Sequence, residues 1–246
     1  MTLVLAHRGH RVRGPGPAPG CDNTGGRREN TLEAFAAARA AGADGVELDV
    51  RRSADGALVV HHDAEIPGAG RLANLRRAEL PGYVPVLAEA LAACGPMLVD
   101  VELKHDPKDD PGRLLAASVA SALMEGKGGE GILVSSFDAG SLDVVTRRAP
   151  DLPTGLILHW STDRWRGLEQ AVAHGCSSVH PFVTQVDRPF VEQAHELGLE
   201  VGPWTVNRHE DLVEMVTLGV DAVVTDRLVE ALAAVRQASN GGTGAR

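Results

Sequence analysis

Short apolar runs alternate with segments of helical periodicity along most of the chain. The apolar runs predict eight strands, at about 2–6, 45–50, 97–103, 131–135, 154–158, 177–180, 200–204 and 221–225. Apolar residues at helical spacing predict helices at about 31–41, 85–93, 111–125, 138–148, 164–174, 187–197, 208–218 and 227–238. This alternation is typical of a parallel sheet. Eight strand–helix units in 246 residues predict an α/β fold of the closed (β/α)8 type, a TIM barrel.

The regularity of the pattern predicts a single domain. No linker-like stretch interrupts the alternation, so residues 1–238 should form one barrel, with a doubly wound open sheet as the alternative. Helices should end at glycines such as Gly42 and Gly219, because glycine favours the left-handed conformation after a last helical turn. Residues 239–246 are small, polar and glycine-rich, which predicts a flexible C-terminal tail.

Two segments depart from the alternation. Residues 10–28 form a loop dense in Gly, Pro and Arg, and loops of this length are usually functional or disordered. Because the loop follows the first strand, it should lie on the face of the barrel that carries the carboxyl ends of the strands. Asp55-Gly56 is a hairpin turn signal, which predicts a short extra strand at 57–61 after strand two.

Composition and charge narrow the class of partner. The net charge of −9 argues against broad binding to nucleic acid or to anionic membranes. No run approaches the about 20 apolar residues of a membrane span, so stable membrane insertion is not expected. Cys21, Cys94 and Cys176 are scattered and odd in number, which favours reduced thiols and a cytoplasmic location. The oligomeric state stays open.

Two acids occupy a strand that otherwise has the pattern of a buried one. Glu47 and Asp49 share a face, because residues i and i+2 of a strand project to the same side. Two like charges there repel each other and lose hydration, so a bound cation is the simplest remedy; pairing with buried Arg or Lys is the alternative. Glu102 adds a third carboxylate at the end of strand three. Hard cations prefer oxygen ligands, so Glu47, Asp49 and Glu102 predict a site for Mg²⁺ or Ca²⁺.

Basic residues and histidines lie at neighbouring strand ends. Arg8 and Lys104 suit phosphate oxygens. Histidine as a residue type titrates near neutrality, so His7 and His62 are candidates to transfer protons. A cation site, cationic contacts and two proton carriers are the combination that cleavage of a phosphoester requires.

Several residues near this rim have two readings. Asn30 either caps the first helix or anchors the metal or substrate oxygens. Trp204 is either core packing or a wall for the substrate. Asp100 lies one step deeper than Glu102 and is expected to be a hydrogen-bonded residue of the barrel interior. His61 should face away from His62.

At these positions the chain resembles the glycerophosphodiester phosphodiesterase family. The matching segments are His7-Arg8-Gly9, Glu29-Asn30-Thr31, Glu47-Leu48-Asp49-Val50, the Asp55-Gly56 turn with His62-Asp63, Glu102-Leu103-Lys104, Ser135-Ser136-Phe137-Asp138, Trp204-Thr205-Val206-Asn207 and Thr225-Asp226. The resemblance implies a (β/α)8 barrel and a divalent metal. It also implies hydrolysis of a small-molecule glycerophosphodiester to glycerol 3-phosphate and an alcohol.

Carried over residue by residue, the resemblance assigns roles to the rim residues. It implies that Glu47, Asp49 and Glu102 hold the metal and that His7 and His62 form the acid–base pair. It implies phosphate contacts by Arg8 and Lys104.

The chain departs from the family pattern in two places. The family normally inserts a sizeable segment after the His-Asp motif, whereas only Ala64 to Val84 remains here. Loop 10–28 is longer than typical and is expected to replace part of that cap as an arginine-rich lid. A related barrel phosphodiesterase acting on lysophospholipids or on other glycerol- or sugar-linked phosphodiesters is an alternative. A catalytically inactive barrel that binds phosphodiesters is another. Few aromatic residues (Phe 4, Trp 3, Tyr 1) disfavour a groove for a long acyl chain.

Overall fold

A computed structural model describes residues 1–11, 27–110, 113–125 and 131–241, with backbone alone for 239–241. The strands are β1 (Leu3–His7), β2 (Gly45–Arg52), β3 (Leu58–Val60), β4 (Glu65–Ile66), β5 (Gly70–Arg71), β6 (Leu98–Leu103), β7 (Ile132–Ser136), β8 (Thr154–Ile157), β9 (Ser178–His180), β10 (Glu200–Val201) and β11 (Ala222–Thr225). The α-helices are α1 (Leu32–Ala41), α2 (Leu87–Cys94), α3 (Leu114–Glu125), α4 (Ala139–Arg148), α5 (Arg164–Ala173), α6 (Arg188–Glu196), α7 (His209–Leu218) and α8 (Leu228–Gly241).

Eight parallel strands form the predicted barrel. They lie in the order β10-β9-β8-β7-β6-β2-β1-β11. β10 is only two residues long, and the barrel closes through backbone hydrogen bonds that join β10 and the chain after it to β11 and the residue before it. Asp221 N donates to Val201 O at 3.0 Å, and Val224 N donates to Pro203 O at 3.0 Å. The predicted (β/α)8 barrel is therefore confirmed, and the open-sheet alternative is wrong.

The helices cover the barrel with one apolar face each. In α1 the buried residues Ala34, Phe35 and Ala38 share one side, as the helical repeat requires. In α6 the buried residues are Phe190, Val191 and Ala194. These side chains join those of the strands in one apolar core. This packing fixes the strand ends, and with them the side chains at the rim.

No helix within the described residues has both the length and the apolar character needed to cross a membrane.

The segment after β2 forms a small packed unit on the barrel rim. β3 runs antiparallel to β2, with Val60 opposite Val50, as the turn signal predicted. Val59, Ile66, Leu72, Leu80 and Val84 form a second apolar cluster beneath it. The reduced insertion therefore has a core of its own.

Arg71 ties this small unit to the segment that follows β6. Its Nη2 lies 2.9 Å from Asp106 Oδ2, and its Nε lies 2.7 Å from Asp109 Oδ1. The contact holds the small unit, which also contains His62, against the segment that follows β6. Partly exposed ion pairs of this kind contribute little stability individually. The main effect of these ion pairs is therefore to fix the position of the small unit.

We expect Gly9→Ala to destabilise the protein more than Gly68→Ala. Both glycines have left-handed backbones, with φ of +81° and +79°. A Cβ at Gly9 would lie 2.9 Å from the carbonyl carbon of Ala34, whereas no described atom lies within 4 Å of one at Gly68. Gly68→Ala should cost about 1–2 kcal/mol for its conformation alone, and Gly9→Ala about 1–3 kcal/mol more for the clash. Urea unfolding of both variants measures the difference, and equal losses would contradict the clash.

Candidate active site

Three buried carboxylates meet at the carboxyl ends of β2 and β6. Glu47 and Asp49 lie on one face of β2, and the strand register places Asp49 opposite Glu102 of β6. One oxygen of each carboxylate lies within 4.8 Å of the other two. The structure thus brings together the three residues that the sequence pointed to as metal ligands.

Two cations lie against these carboxylates. Lys104 Nζ is 2.6 Å from Glu102 Oε1 and 3.1 Å from Asp49 Oδ1, and Arg8 Nε is 3.2 Å from Asp49 Oδ2. Pairing with buried Arg and Lys, the alternative reading of the acids, is thus present. Three carboxylates and two cations nevertheless leave one negative charge uncompensated within this group.

The donor set fits a hard divalent cation. Glu47 Oε2 accepts from the backbone N–H of Arg8 at 3.0 Å. Glu47 Oε1 is buried and has no hydrogen-bond partner among the described residues. A buried oxygen without a donor is costly unless another group satisfies it. Because all the candidate ligand atoms are oxygens, the group that fits best is Mg²⁺ or Ca²⁺.

The charges of the three carboxylates affect one another. Burial raises the pKa of Glu47 well above its usual range, and the charges of Asp49 and Glu102 add to the effect. Burial also raises the pKa of Glu102 to about 7, against the opposing effect of Lys104. Burial disfavours ionisation of Asp49 as well, but Lys104 and Arg8 outweigh it and hold that pKa below its usual range. Without a cation, this group therefore favours uptake of a proton.

The two candidate proton carriers each contact a carboxylate through Nδ1. His7 Nδ1 lies 2.8 Å from Asp226 Oδ1, and His62 Nδ1 lies 2.7 Å from Asp63 Oδ1. An ionised carboxylate only accepts hydrogen bonds, so we assign the proton of each neutral ring to Nδ1. Nε2 is then the atom of each ring that can take up a proton. His7 Nε2 lies 4.0 Å from Glu47 Oε2, beside the carboxylates.

Further residues, to which sequence reasoning assigned no role, hold the two histidines in place. Asp226 accepts from Arg11 Nη2 at 2.7 Å and from Asn207 Nδ2 at 2.9 Å, which fixes the partner of His7. Arg51 donates through Nε at 2.8 Å and through Nη2 at 2.6 Å to the backbone carbonyl of His62. Asp226 has a sequence signal, since it directly follows the last strand. Nothing in the local pattern distinguishes Arg51.

Two adjacent cavities lie at this rim. The deep cavity has a volume of about 120 Å³, and its own wall includes His7, Arg8, Glu47, Asp100, His180 and Trp204. The outer cavity has a volume of about 430 Å³, and its own wall consists of Arg51, Leu103, His105, Pro107, Ser136 and Asp138. Both cavities are lined by His62, Glu102, Lys104 and Phe137. The two cavities therefore lie side by side, and most of the candidate catalytic groups line one or both of them.

Asn30 supports Asp49 from behind. It is buried, its Nδ2 donates to Asp49 Oδ2 at 2.6 Å, and its Oδ1 accepts from the backbone N–H of Asp49 at 3.3 Å. Thr31, not Asn30, caps α1 by accepting from Ala34 N at 3.2 Å. Helix capping by Asn30 is therefore wrong, and its side chain is committed to Asp49 rather than directed to a substrate.

Trp204 forms part of the deep cavity wall. Its Nε1 donates to the carbonyl of His180 at 3.1 Å. Phe137 and Phe182 meet its ring edge to face, with centroids 5.4 and 5.3 Å away. Of its two readings, the wall is the one that the structure supports.

Asp100 lies inside the barrel, with its Oδ2 3.3 Å from Nδ1 of His180. His180 is buried in the barrel at the end of β9. Its Nε2 lies 3.0 Å from Ser178 Oγ. Asp100 and His180 form the polar floor of the deep cavity.

The described ends of the long first loop lie beside the site. Arg8 Nη1 is 2.6 Å from Glu29 Oε1. The guanidinium of Arg28 lies 4.2 Å from the ring centroid of Tyr83 in the small insertion. Residues 12–26, on which the lid hypothesis depends, lie outside the described residues.

Comparisons with known proteins give consistent matches along the chain. The sequence model of the glycerophosphoryl diester phosphodiesterase family matches residues 7–230. A glycerophosphodiester phosphodiesterase of Caldanaerobacter subterraneus subsp. tengcongensis is 32% identical, over 92% of this chain and 94% of that protein. A solved structure from Silicibacter pomeroyi, assigned to the glycerophosphoryl diester phosphodiesterases, is 29% identical with a TM-score of 0.81, over 96% and 93% of the two chains. An Oleispira antarctica phosphodiesterase, solved with its product sn-glycerol-3-phosphate, is 24% identical with a TM-score of 0.77, over 95% and 96%.

Proposed function

This chain belongs to the glycerophosphoryl diester phosphodiesterase family and is a phosphoric diester hydrolase, and from that premise we propose its substrate and its catalytic groups. It hydrolyses glycerophosphodiesters to glycerol 3-phosphate and an alcohol, with a divalent cation and two histidines. The observation that carries this proposal is the meeting of three buried carboxylates, two cations and two His–Asp pairs beside the deep cavity. The glycerol 3-phosphate held by the Oleispira antarctica phosphodiesterase supports the choice of product.

In the proposed mechanism, Glu47, Asp49 and Glu102 would hold Mg²⁺ or Ca²⁺. A bound divalent cation supplies polarisation of the phosphoryl oxygens and neutralises charge that develops on them. Arg8 and Lys104 bind the phosphate oxygens. Their side-chain nitrogens lie within 3.2 Å of the Asp49 carboxylate, so the phosphate is held next to the carboxylate cluster.

His7 and His62 transfer the protons. One ring takes the proton from a glycerol hydroxyl as that oxygen attacks phosphorus, and the other gives a proton to the oxygen of the departing alcohol. Water then opens the resulting cyclic phosphate, with the proton transfers reversed. Asp226 and Asp63 keep the Nδ1 proton of each ring in place, so that Nε2 is the exchanging atom. Burial lowers the pKa of His62, mainly by desolvation, which favours its neutral form near pH 7.

Chelation tests this proposal directly. Protein stripped with EDTA should not release glycerol 3-phosphate from glycerophosphodiesters, and added Mg²⁺ or Ca²⁺ should restore release. A coupled assay for glycerol 3-phosphate measures both steps. Full activity in chelator would refute the metal assignment. Turnover of lysophospholipids alone would favour the related phosphodiesterase, and binding of diesters without turnover would favour an inactive barrel.

The proposal includes a cytoplasmic location and a small-molecule substrate, without a nucleic-acid partner. Cys94 and Cys176 are free and buried, and burial raises the pKa of Cys94 to about 12, which suits unreactive reduced thiols. Cys21 lies outside the described residues. The barrel domain at 1–238 and the tail at 239–246 also remain proposals. α8 extends to Gly241.

A further inference from the structure

The two cavities divide a bound phosphodiester into two halves. His62, Glu102, Lys104 and Phe137 line both of them. On the proposed function, a phosphate bound by Lys104 lies at this shared wall. The glycerol phosphate half then occupies the smaller deep cavity beside the carboxylates, and the variable alcohol half extends into the outer cavity. The chemistry of the outer wall therefore bears on which alcohol the enzyme accepts.

Each carboxylate of the outer wall already has a cation beside it. Asp138 Oδ2 accepts from Arg113 Nε at 2.6 Å and also from the backbone N–H of Ser141 at 2.9 Å. Glu102 Oε1 lies 2.6 Å from Lys104 Nζ. A cationic alcohol would meet these paired acids together with the guanidinium of Arg51. The charges of the outer wall therefore do not favour an ammonium group over an uncharged one.

The aromatic surface of the outer cavity is also unsuited to a quaternary ammonium group. Phe137 is the only Phe, Tyr or Trp among the described residues that line this cavity. Lys104 Nζ already lies 6.0 Å from the centroid of its ring. Cages for quaternary ammonium ligands use several aromatic faces. A long acyl chain fits no better, because it would lie against Arg51, His105 and Asp138.

The outer wall does have unused hydrogen-bonding groups. The side chain of His105 is 9% exposed, and its Nδ1 and Nε2 lie 3.7 Å from Asp110 Oδ2 and 3.9 Å from Asp138 Oδ2. Both distances exceed hydrogen-bond length. Nδ1 is buried and faces Asp110, which does not line the outer cavity. Nε2 lies on the side of Asp138, which does line it, so Nε2 is the ring atom available to a ligand. Asp138 Oδ1 accepts one long bond, at 3.3 Å from Arg113 Nη2. Hydroxyl groups, which both donate and accept, match this pair of side chains.

We propose that the outer cavity binds the leaving alcohol and selects uncharged polyols, with His105 as the specificity-determining residue. A polyol satisfies His105 and Asp138 without bringing a charge or an acyl chain into the cavity.

A panel of diesters tests the preference. With Mg²⁺ or Ca²⁺, kcat/KM for glycerophosphoglycerol and glycerophosphoinositol should exceed that for glycerophosphocholine and glycerophosphoethanolamine by about tenfold, the scale of one good hydrogen bond. A higher kcat/KM for either amino alcohol, or for lysophosphatidylcholine, would overturn the proposal.

Substitution of His105 tests the residue. His105→Leu should reduce the ratio of kcat/KM between polyol and choline diesters towards one, and His105→Gln should retain part of the preference. His159→Leu is the matched control, because His159 is an exposed rim histidine that hydrogen-bonds Ser161. It should leave the ratio unchanged. An equal loss on all substrates in both His105 variants would contradict a role in specificity.

Calorimetric binding separates this inference from the proposed function. If no diester is hydrolysed, titration of the same diesters in the presence of Mg²⁺ or Ca²⁺ still ranks the alcohols. Tighter binding of polyol diesters without turnover would refute the hydrolysis alone. Equal or tighter binding of choline diesters would refute the polyol site.

Discussion

Replacing Glu47 by glutamine should remove divalent-cation binding and lower kcat by at least about 10²–10³, the scale seen when one electrostatic contact to a transition state is lost. Glu47 contributes one of three carboxylate oxygens that lie within 4.8 Å of one another, and its Oε1 is buried without a partner among the described residues. A neutral amide is a weaker ligand for a hard cation than a carboxylate is. The amide oxygen can still accept from the backbone N–H of Arg8, so the barrel should fold.

The metal-free protein provides a second readout for Glu47→Gln. The pKa of Glu47 is raised in the fold, so the folded state binds a proton more readily than the unfolded chain does. Stability of the metal-free wild type should therefore fall as pH rises from the unfolded pKa through the higher folded pKa. Glutamine mimics the protonated carboxyl, and the variant should lose this part of the pH dependence.

Thermal unfolding with and without Mg²⁺ or Ca²⁺, together with kcat, checks both effects. Wild-type protein should gain stability from the cation, because a ligand that binds only the folded state stabilises it. Glu47→Gln should gain none. Glu33→Gln, an exposed carboxylate of α1, should behave as the wild type does. A Glu47→Gln protein with near-native kcat or an unchanged cation response would refute the ligand assignment.

Replacing His62 by alanine should lower kcat by about 10²–10⁴, the usual scale for loss of a general acid or base. His62 lines both cavities, its Nδ1 is fixed by Asp63, and its backbone carbonyl is held by Arg51. His62 is not among the proposed ligands of the cation, which are all carboxylates. Cation binding should therefore persist while turnover fails.

The neighbouring histidine offers a control for this substitution. His61 lies on the same hairpin but is not part of the described lining of either cavity. His61→Ala should keep kcat near the parent value. The shift in unfolding temperature produced by Mg²⁺ or Ca²⁺ should survive in both variants. A loss of kcat below about threefold in His62→Ala would remove His62 from the mechanism.

The barrel and the carboxylate cluster were predictable because both follow from local patterns. Strand ends in a (β/α)8 barrel meet at one rim, so acids at positions 47, 49 and 102 had to lie near one another once the strands were recognised. The family resemblance, drawn from motifs in the same order along the chain, is confirmed. The closure of the barrel between β10 and β11 was harder to predict from the sequence. β10 pairs for only two residues, and the chain then continues into irregular backbone.

The residues that support the site were not predictable in the same way. Asn30 adopts a left-handed backbone, with φ of +55°, that turns its amide towards Asp49 instead of the helix start. Arg51 donates to the backbone carbonyl of His62, and nothing in the sequence around Arg51 indicates this partner. His180 points inward to Asp100 from a strand of three residues, too short for an alternation signal. Each contact depends on tertiary geometry that sequence periodicity does not encode.

The contact between His7 and Asp226 also determines when activity can first appear during folding. The two residues are 219 positions apart in the sequence, and β1 and β11, which carry them to the rim, pair directly with each other. Such long-range contacts form late, because closing a large loop loses chain entropy before the contact offsets it. His7 therefore acquires its orienting partner only after the ribosome has released nearly all of these residues. Partly synthesised chains, with most of the carboxylate cluster already present, lack the oriented His7 and should be catalytically silent.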